Sequence, residues 1–162
     1  VVADFIGGAA ERLVLRAAEG NEVVLVEGQG SLVHPGYSGV TLGLLHGSMP
    51  DAMVLCHQQS RRCPYNRYNV YHWMTLPTVQ EMIRINEAAI APLRSDSKVI
   101  GICLNTWDLS DEEARAAVER TQQETGLPTT DPVRFDPAPV VEAILAGAER
   151  KRSGQAVESG VS

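Results

Sequence analysis

A cluster of polar residues follows the most strand-like run of the sequence. The stretch "VVLVEGQGSLVH" spans Val23 to His34, and its four aliphatic residues lead directly into Glu27. A carboxylate in this place can bind Mg²⁺, directly or through water, or orient an attacking group. Gly28 and Gly30 let the backbone approach a ligand closely. We therefore predict a site here, the alternative being a tight turn with a solvated glutamate.

Two histidines also follow predicted strands, which favours a role as a general base or hydrogen-bond donor. These are His34 and His57, while His46 can simply close a helix. The spacings of the four histidines, which include His72, match no zinc signature. The sequence gives no reason to expect a histidine-bound metal.

An arginine- and tyrosine-rich segment without helical or strand periodicity follows His57. Its members are Arg61, Arg62, Arg67, Tyr65, Tyr68 and Tyr71. Arginine forks suit carboxylates and phosphates, so the segment is a candidate anion-binding loop. A solvated loop is the alternative.

The stretch "NTWD", from Asn105 to Asp108, follows another apolar run and resembles a base-recognition turn. The asparagine side chain can brace neighbouring loops or hydrogen-bond a purine edge. Asp108 can contribute to the same site, or it can only begin the next helix.

The elements that must position these residues alternate between strands and helices. Continuous apolar runs predict strands in "EVVLVEG", "DAMVLCH", "SKVIGICLNTW" and "DPVRFD". Helical patterns lie between them, with Ser110 as a predicted N-cap and Gly126 as a terminator. This order predicts an α/β fold with a mostly parallel sheet flanked by helices. Ligands of such sheets bind at the carboxyl ends of the strands, where the candidate residues fall.

Bulk properties exclude several classes of function. The net charge is −6 with no basic stripe, so we expect no nucleic-acid partner. No apolar run approaches the roughly 20 residues that span a bilayer, and we see no signal peptide, so we expect no membrane partner. The odd cysteine count gives no disulfide framework. We expect Cys56 and Cys103 to be buried, inert thiols and the protein to be cytoplasmic.

The organisation predicted is one α/β domain over residues 1–150 and a disordered tail over residues 151–162. The chain starts with Val1 and contains no G-x-x-x-x-G-K-[ST] phosphate loop, so we expect a fragment of a longer protein whose phosphate loop lies upstream.

Three stretches carry a resemblance to a known family: "VEGQGSLVHPGYSGVTLGLLHGSMPDAMVLCH", "GICLNTWDLSDEEA" and "ETGLPTTDPVRFDPAPVVEAIL". They resemble the C-terminal P-loop domain of a bacterial and archaeal family long labelled as of unknown function, the D-glutamate N-acetyltransferase family. The fold of that domain is also similar to dethiobiotin synthetase. The resemblance implies an N-acetyltransferase that moves an acetyl group from acetyl-CoA to D-glutamate or a related amino acid.

The resemblance also implies roles for the candidate residues. Glu27 would be the metal-side or substrate-side acid, and Asn105 would lie on the side of the nucleotide base, with Asp108 beside it. Gly28, Gln29, Gly30 and Ser31 would shape the pocket floor.

Further roles follow from residue type and position alone. Glu27 or His34 could be the base that takes the proton of the amine. Arg61 or Arg62 could hold the substrate carboxylates, with His57 also on the substrate side.

Two other interpretations stay open. One is an ATP-dependent ligase or kinase of a small carboxylate, with ATP and Mg²⁺ as cofactors. The other is a non-catalytic assembly module, since family relatives are expected to be homo-oligomers.

Overall fold

The computed structural model describes residues 3–64 and 71–158 of the chain. It contains five helices and three strands in that part of the chain. In order they are α1 Ala3–Ala18, α2 Ser38–Ser48, β1 Ala52–Gln58, α3 Val79–Ile90, β2 Lys98–Asn105, α4 Asp111–Thr125, β3 Thr129–Thr130 and α5 Ala138–Glu158. Among these helices, none is both long and apolar enough to cross a bilayer.

The strands form one parallel sheet in the order β1-β2-β3, which confirms the predicted α/β class. Its core contains Ile102 and Leu104 of β2, both buried, together with Ala117 of α4 and Val140 of α5. β2 lies between the other strands and is accordingly a nearly continuous apolar run. The continuous apolar pattern that predicted the sheet therefore identified its central strand, β2.

The chain divides into two compact units. The first comprises Val1–Asp51 and Arg61–Ser97 and holds α1, α2 and α3. The second comprises Ala52–Ser60 and Lys98–Ser162 and holds the sheet with α4 and α5.

Local capping signals correctly predicted where α4 begins and ends. Ser110 accepts a hydrogen bond from the Glu113 amide in a capping box, and Gly126 ends α4 with a φ of 71°. Thr78 and Glu81 form the same box at the start of α3. His46 lies in the last turn of α2, where its Nε2 is 2.9 Å from the Ala89 carbonyl oxygen.

Two predicted strands are wrong. "EVVLVEG" joins no sheet among the described residues, and Leu25 within it is 80% exposed. A strand needs a neighbour to pair its backbone groups, and composition cannot supply one. "DPVRFD" is a turn instead, and the strand is the two preceding residues, Thr129–Thr130. Pro132 cannot donate to a ladder, which disfavours a strand there.

The last helix is longer than predicted. The sequence pattern indicated an end near Lys151, whereas α5 continues to Glu158. The final residues, 159–162, lie outside the described part of the chain, as do Tyr65, Arg67 and Tyr68 of the predicted anion-binding loop.

Helices α1 and α2 approach each other closely because small residues meet where they cross. A Cβ atom on Gly47 would overlap the Gly7 carbonyl oxygen and lie 2.8 Å from the Cβ of Ala10. A Cβ atom on Gly43 would lie 2.8 Å from Cγ2 of Ile6. The glycines of α2 are thus required for packing, although glycine disfavours a helix.

We predict that Gly47→Ala destabilises the protein by about 1–3 kcal/mol, because overpacking outweighs the gain in helix propensity. Gly39→Ala in the same helix is the matched control, since no atom lies within 4 Å of its added Cβ. It should stabilise by up to about 1 kcal/mol. Urea unfolding followed by circular dichroism measures both. Equal effects of the two substitutions would contradict this packing.

Candidate functional site

The candidate residues divide between the two units, and each unit is described by itself. The first unit holds Glu27, Gly28, Gln29, Gly30, Ser31, His34, Arg61 and Arg62, and the second holds His57, Asn105 and Asp108.

In the first unit, the turn after Glu27 is anchored on the start of α2. Gly30 has a φ of 65°, and a Cβ atom there would lie 2.8 Å from the Cβ of Tyr37. Only glycine fits this left-handed position against the tyrosine. The hydroxyl of Thr41 donates to the carbonyl oxygen of Gln29, which ties the turn to the helix.

A second set of hydrogen bonds shapes the chain from Ser31 to His34. The Ser31 hydroxyl accepts from the Val33 amide at 3.2 Å, and the Ser31 carbonyl accepts from the His34 amide at 3.1 Å. Ser31 therefore has a local structural role that its sequence position did not reveal.

His34 is held in a defined orientation by ring contacts and one backbone bond. Its ring centroid lies 4.6 Å from that of Tyr37 and 5.3 Å from that of Tyr71. Its Nδ1 accepts from the Gly36 amide at 3.1 Å. This bond leaves Nε2 as the ring nitrogen for the predicted role of base or hydrogen-bond donor.

Glu27 differs from His34 because it is exposed, whereas His34 is half-buried. The segment from residue 25 to residue 30 is exposed. Within residues 3–64 and 71–158, no group of three His, Cys, Asp or Glu side chains could hold a metal ion. Glu27 could bind Mg²⁺ only with water or phosphate oxygens completing the shell. The described residues therefore provide no built metal site.

Arg61 and Arg62 begin the irregular loop and are both exposed. The Arg62 carbonyl accepts from the Leu76 amide at 2.9 Å, which holds this part of the loop against the chain preceding α3. The guanidinium groups can meet an anionic ligand from solvent.

In the second unit, the loops after all three strands meet at the carboxyl edge of the sheet. His57 and Gln58 pair with Leu104 and Asn105, and the Gln59 amide donates to the Asn105 carbonyl at 3.1 Å. The structure therefore brings His57 and Asn105 to neighbouring strand ends, in line with the position expected for a ligand site.

The Asn105 side chain braces its own loop. Its Oδ1 accepts from the Trp107 amide at 3.1 Å, which leaves the amide nitrogen Nδ2 as the group that can donate to a ligand. Trp107 is 72% exposed, and Asp108 is exposed as well. Asp108 precedes the N-cap Ser110 by two residues, so it does not begin α4.

A buried carboxylate that sequence analysis missed fixes this loop. Oδ2 of Asp131 accepts from the Thr106 hydroxyl at 2.6 Å and from the Thr106 amide at 2.9 Å. Its Oδ1 accepts from the amides of Val133 at 3.0 Å and Arg134 at 3.3 Å. Asp131 and Thr106 are both buried, so these bonds form away from solvent. The signal was present as an aspartate directly after a strand, but the prediction had placed Asp131 inside the strand.

The side chain of Arg134 extends the hydrogen-bond network of Asp131 and Thr106. Its Nη1 donates to the carbonyl oxygens of Thr106 at 2.8 Å and Leu109 at 2.9 Å. Its Nη2 forms an ion pair with Asp111 at the start of α4. The loop carrying Asn105 and Asp108 is thus tied to the turn after β3.

Hydrogen bonding lowers the pKa of Asp131. Burial alone would raise that pKa, but the bonds from the Thr106 hydroxyl and the three backbone amides outweigh it. Because the pKa is lower in the folded chain than its ordinary value of 3.8, the carboxylate stabilises the fold fully above that value. The contribution is lost as the pH falls through the folded-state pKa.

We predict that Asp131→Asn lowers the free energy of unfolding by about 1–3 kcal/mol at pH 7, since the amide cannot accept all these bonds. The difference in free energy of unfolding between this variant and the wild type should shrink below pH 4. Urea unfolding between pH 7 and pH 3 measures it. Glu119→Gln, at an exposed position of α4, is the control and should leave stability unchanged at pH 7. A deficit of Asp131→Asn that does not depend on pH would contradict the ionised, hydrogen-bonded carboxylate.

Comparisons with known proteins agree with one another. Residues 1–141 match the family described as a domain of unknown function, DUF1611_C, P-loop domain. A solved structure of a DUF1611 family protein from Anabaena variabilis is 37% identical, with a TM-score of 0.79, and the match covers 86% of this chain and 40% of that chain.

Two curated relatives are named D-glutamate N-acetyltransferase. The protein from Pseudoalteromonas sp is 43% identical over 134 residues, and the match covers 83% of this chain and 39% of the relative. The protein from Tritonibacter scottomollicae is 36% identical over 146 residues, covering 90% of this chain and 42% of the relative. The chain thus spans about two fifths of the length of these relatives. With its parallel sheet and a family match over most of its length, the chain belongs to the DUF1611 P-loop domain family.

Proposed function

We propose that this chain is part of a D-glutamate N-acetyltransferase. The observation that supports this function most directly is the shared name of the two curated relatives, at 43% and 36% identity. The substrate would be D-glutamate or a related amino acid, and the acyl donor acetyl-CoA.

The reaction needs a base, because the substrate ammonium must lose a proton before its nitrogen can attack the acetyl thioester. Glu27 is the better candidate of the two predicted. It is exposed and can accept a proton from an amine. His34 is the other candidate, and its Nδ1 already accepts a hydrogen bond from the Gly36 amide.

The tetrahedral intermediate needs hydrogen-bond donors for its oxyanion. The backbone amides of the turn from Gly28 to Ser31, together with the Gln29 side chain, are the candidates. The anchoring of this turn through Gly30 and Thr41 supports the role, because preorganised donors stabilise developing charge best. No side chain caps the N-terminus of α2, whose positive dipole end also favours an anion.

The substrate carboxylates need cations or donors of their own. Arg61 and Arg62 are exposed and can form paired hydrogen bonds to a carboxylate. His57, half-buried at the end of β1, is a further substrate-side candidate. Asn105 and Asp108 are proposed to contact the adenine of the acyl donor, on a loop that Asp131 and Arg134 hold rigid.

A second candidate function is ATP-dependent activation of a small carboxylate, by a ligase or kinase. The description of the matched family as a P-loop domain favours it, since P-loops bind nucleotide phosphates. Glu27 would then act on the metal side, with water and phosphate oxygens as the other Mg²⁺ ligands.

We expect the natural protein that contains this sequence, expressed at its full length, to convert D-glutamate and acetyl-CoA to N-acetyl-D-glutamate. Mass spectrometry of the product, with L-glutamate in a parallel reaction, gives the test. Glu27→Gln should lower kcat at least about 100-fold if Glu27 is the base. Glu11→Gln, on the exposed face of α1, is the matched control and should keep full activity.

The outcomes separate the two candidates. Product from the D isomer alone supports the acetyltransferase. ATP hydrolysis that depends on a carboxylate substrate, without acetyl transfer, supports the ligase or kinase. Unchanged turnover in Glu27→Gln would remove Glu27 from the mechanism in either case.

A further inference from the structure

Two of the three cysteines face each other across the sheet. Cys56 of β1 is the register partner of Cys103 of β2. Neighbouring strands lie about 4.8 Å apart, and paired residues present their side chains on the same face. That separation falls within the roughly 4.4–6.8 Å between the Cα atoms of disulfide-bonded cysteines.

The pair is accessible, contrary to the expectation of buried, inert thiols. Cys56 is exposed and Cys103 is half-buried, and neither forms a disulfide in this structure. The two apolar runs predicted burial because they are strands, but β1 pairs on one side only among the described residues. A small oxidant can therefore reach Cys56 from solvent.

The two thiols have unequal roles. Burial raises the pKa of both, so each is mostly protonated at neutral pH. The neighbouring Cys56 and Asp131 raise the pKa of Cys103 further. Because Cys56 is the exposed thiol, it is the one that meets the oxidant first.

We propose that Cys56 and Cys103 form a reversible modification site that closes to a disulfide with a small disulfide oxidant such as oxidised glutathione. The Cys56 thiolate attacks one glutathione sulfur, and the first glutathione thiolate leaves. The Cys103 thiolate then attacks the Cys56 sulfur of the mixed disulfide and releases the second glutathione. Two electrons pass from the protein thiols to the oxidant, and the two thiol protons end on the two glutathione molecules.

A metal site explains the two neighbouring cysteines less well than a disulfide does. A structural zinc site needs four ligands, whereas the described residues contain no group of even three suitable side chains.

A disulfide at this position would affect the candidate residues of the second unit. Cys56 directly precedes His57, and Cys103 lies two residues before Asn105, so the bond would join the two strands just before the loops of the second unit's candidate residues. The inference does not depend on the proposed acetyl transfer.

The test is equilibration of the reduced chain with increasing oxidised glutathione in native buffer and in urea. The native chain should fall from three titratable thiols to one, with a mass lower by about 2 Da. Trypsin separates the three cysteines, because Arg61, Arg62 and Lys98 lie between them, so the linked peptides identify the pair. The bridge should need at least about tenfold less oxidant in native buffer than in urea, since the fold holds the thiols together.

Three variants complete the design. Cys63→Ser should form the same bridge, whereas Cys56→Ser and Cys103→Ser should form none. A native chain that keeps three thiols, a stable glutathione adduct without the bridge, or a bridge that includes Cys63 would overturn the proposal. So would equal oxidation in native buffer and in urea.

Discussion

The buried carboxylate of Asp131 is the interaction on which the carboxyl edge of the sheet depends. A buried charge is costly unless its lone pairs are satisfied, and here four donors converge on its two oxygens. Two donors come from Thr106 after β2 and two from the turn after β3. The loops after neighbouring strands are therefore held in one arrangement, and Arg134 reinforces it by bonding to backbone carbonyls. A loop fixed in this way can present Asn105 to a ligand without a large ordering cost.

In the first unit, close packing rather than a buried carboxylate holds the chain in one arrangement. Small residues let α1 and α2 approach closely, and Gly30 turns the chain against Tyr37. His34 lies against the rings of two tyrosines, and its Nδ1 accepts from the Gly36 amide. Glu27 differs from His34, because it lies in an exposed segment. The turn between Glu27 and His34 is thus held in place at its His34 end and exposed at its Glu27 end. This arrangement suits fixed oxyanion donors beside a base that solvent can reach.

The family match and the solved relative establish what kind of domain this is, and the named relatives motivate the acetyl-transfer proposal. Each match covers about two fifths of the longer protein. The thiol pair stands apart, because it follows from strand register alone.

The sequence by itself determined the features that depend on neighbours along the chain. Helices α3 and α4 begin at capping boxes, α4 ends at Gly126, and the apolar run of β2 marks the centre of a parallel sheet. The family was also recognisable from its motifs. Only the tertiary structure decided the features that depend on residues far apart in sequence. A strand forms only where a partner strand can pair with its backbone, so "EVVLVEG" joins no sheet in the described part of the chain despite its composition. The contacts of Asp131 with Thr106 and of Cys56 with Cys103 likewise join residues far apart in sequence, so they exist only once the chain is folded.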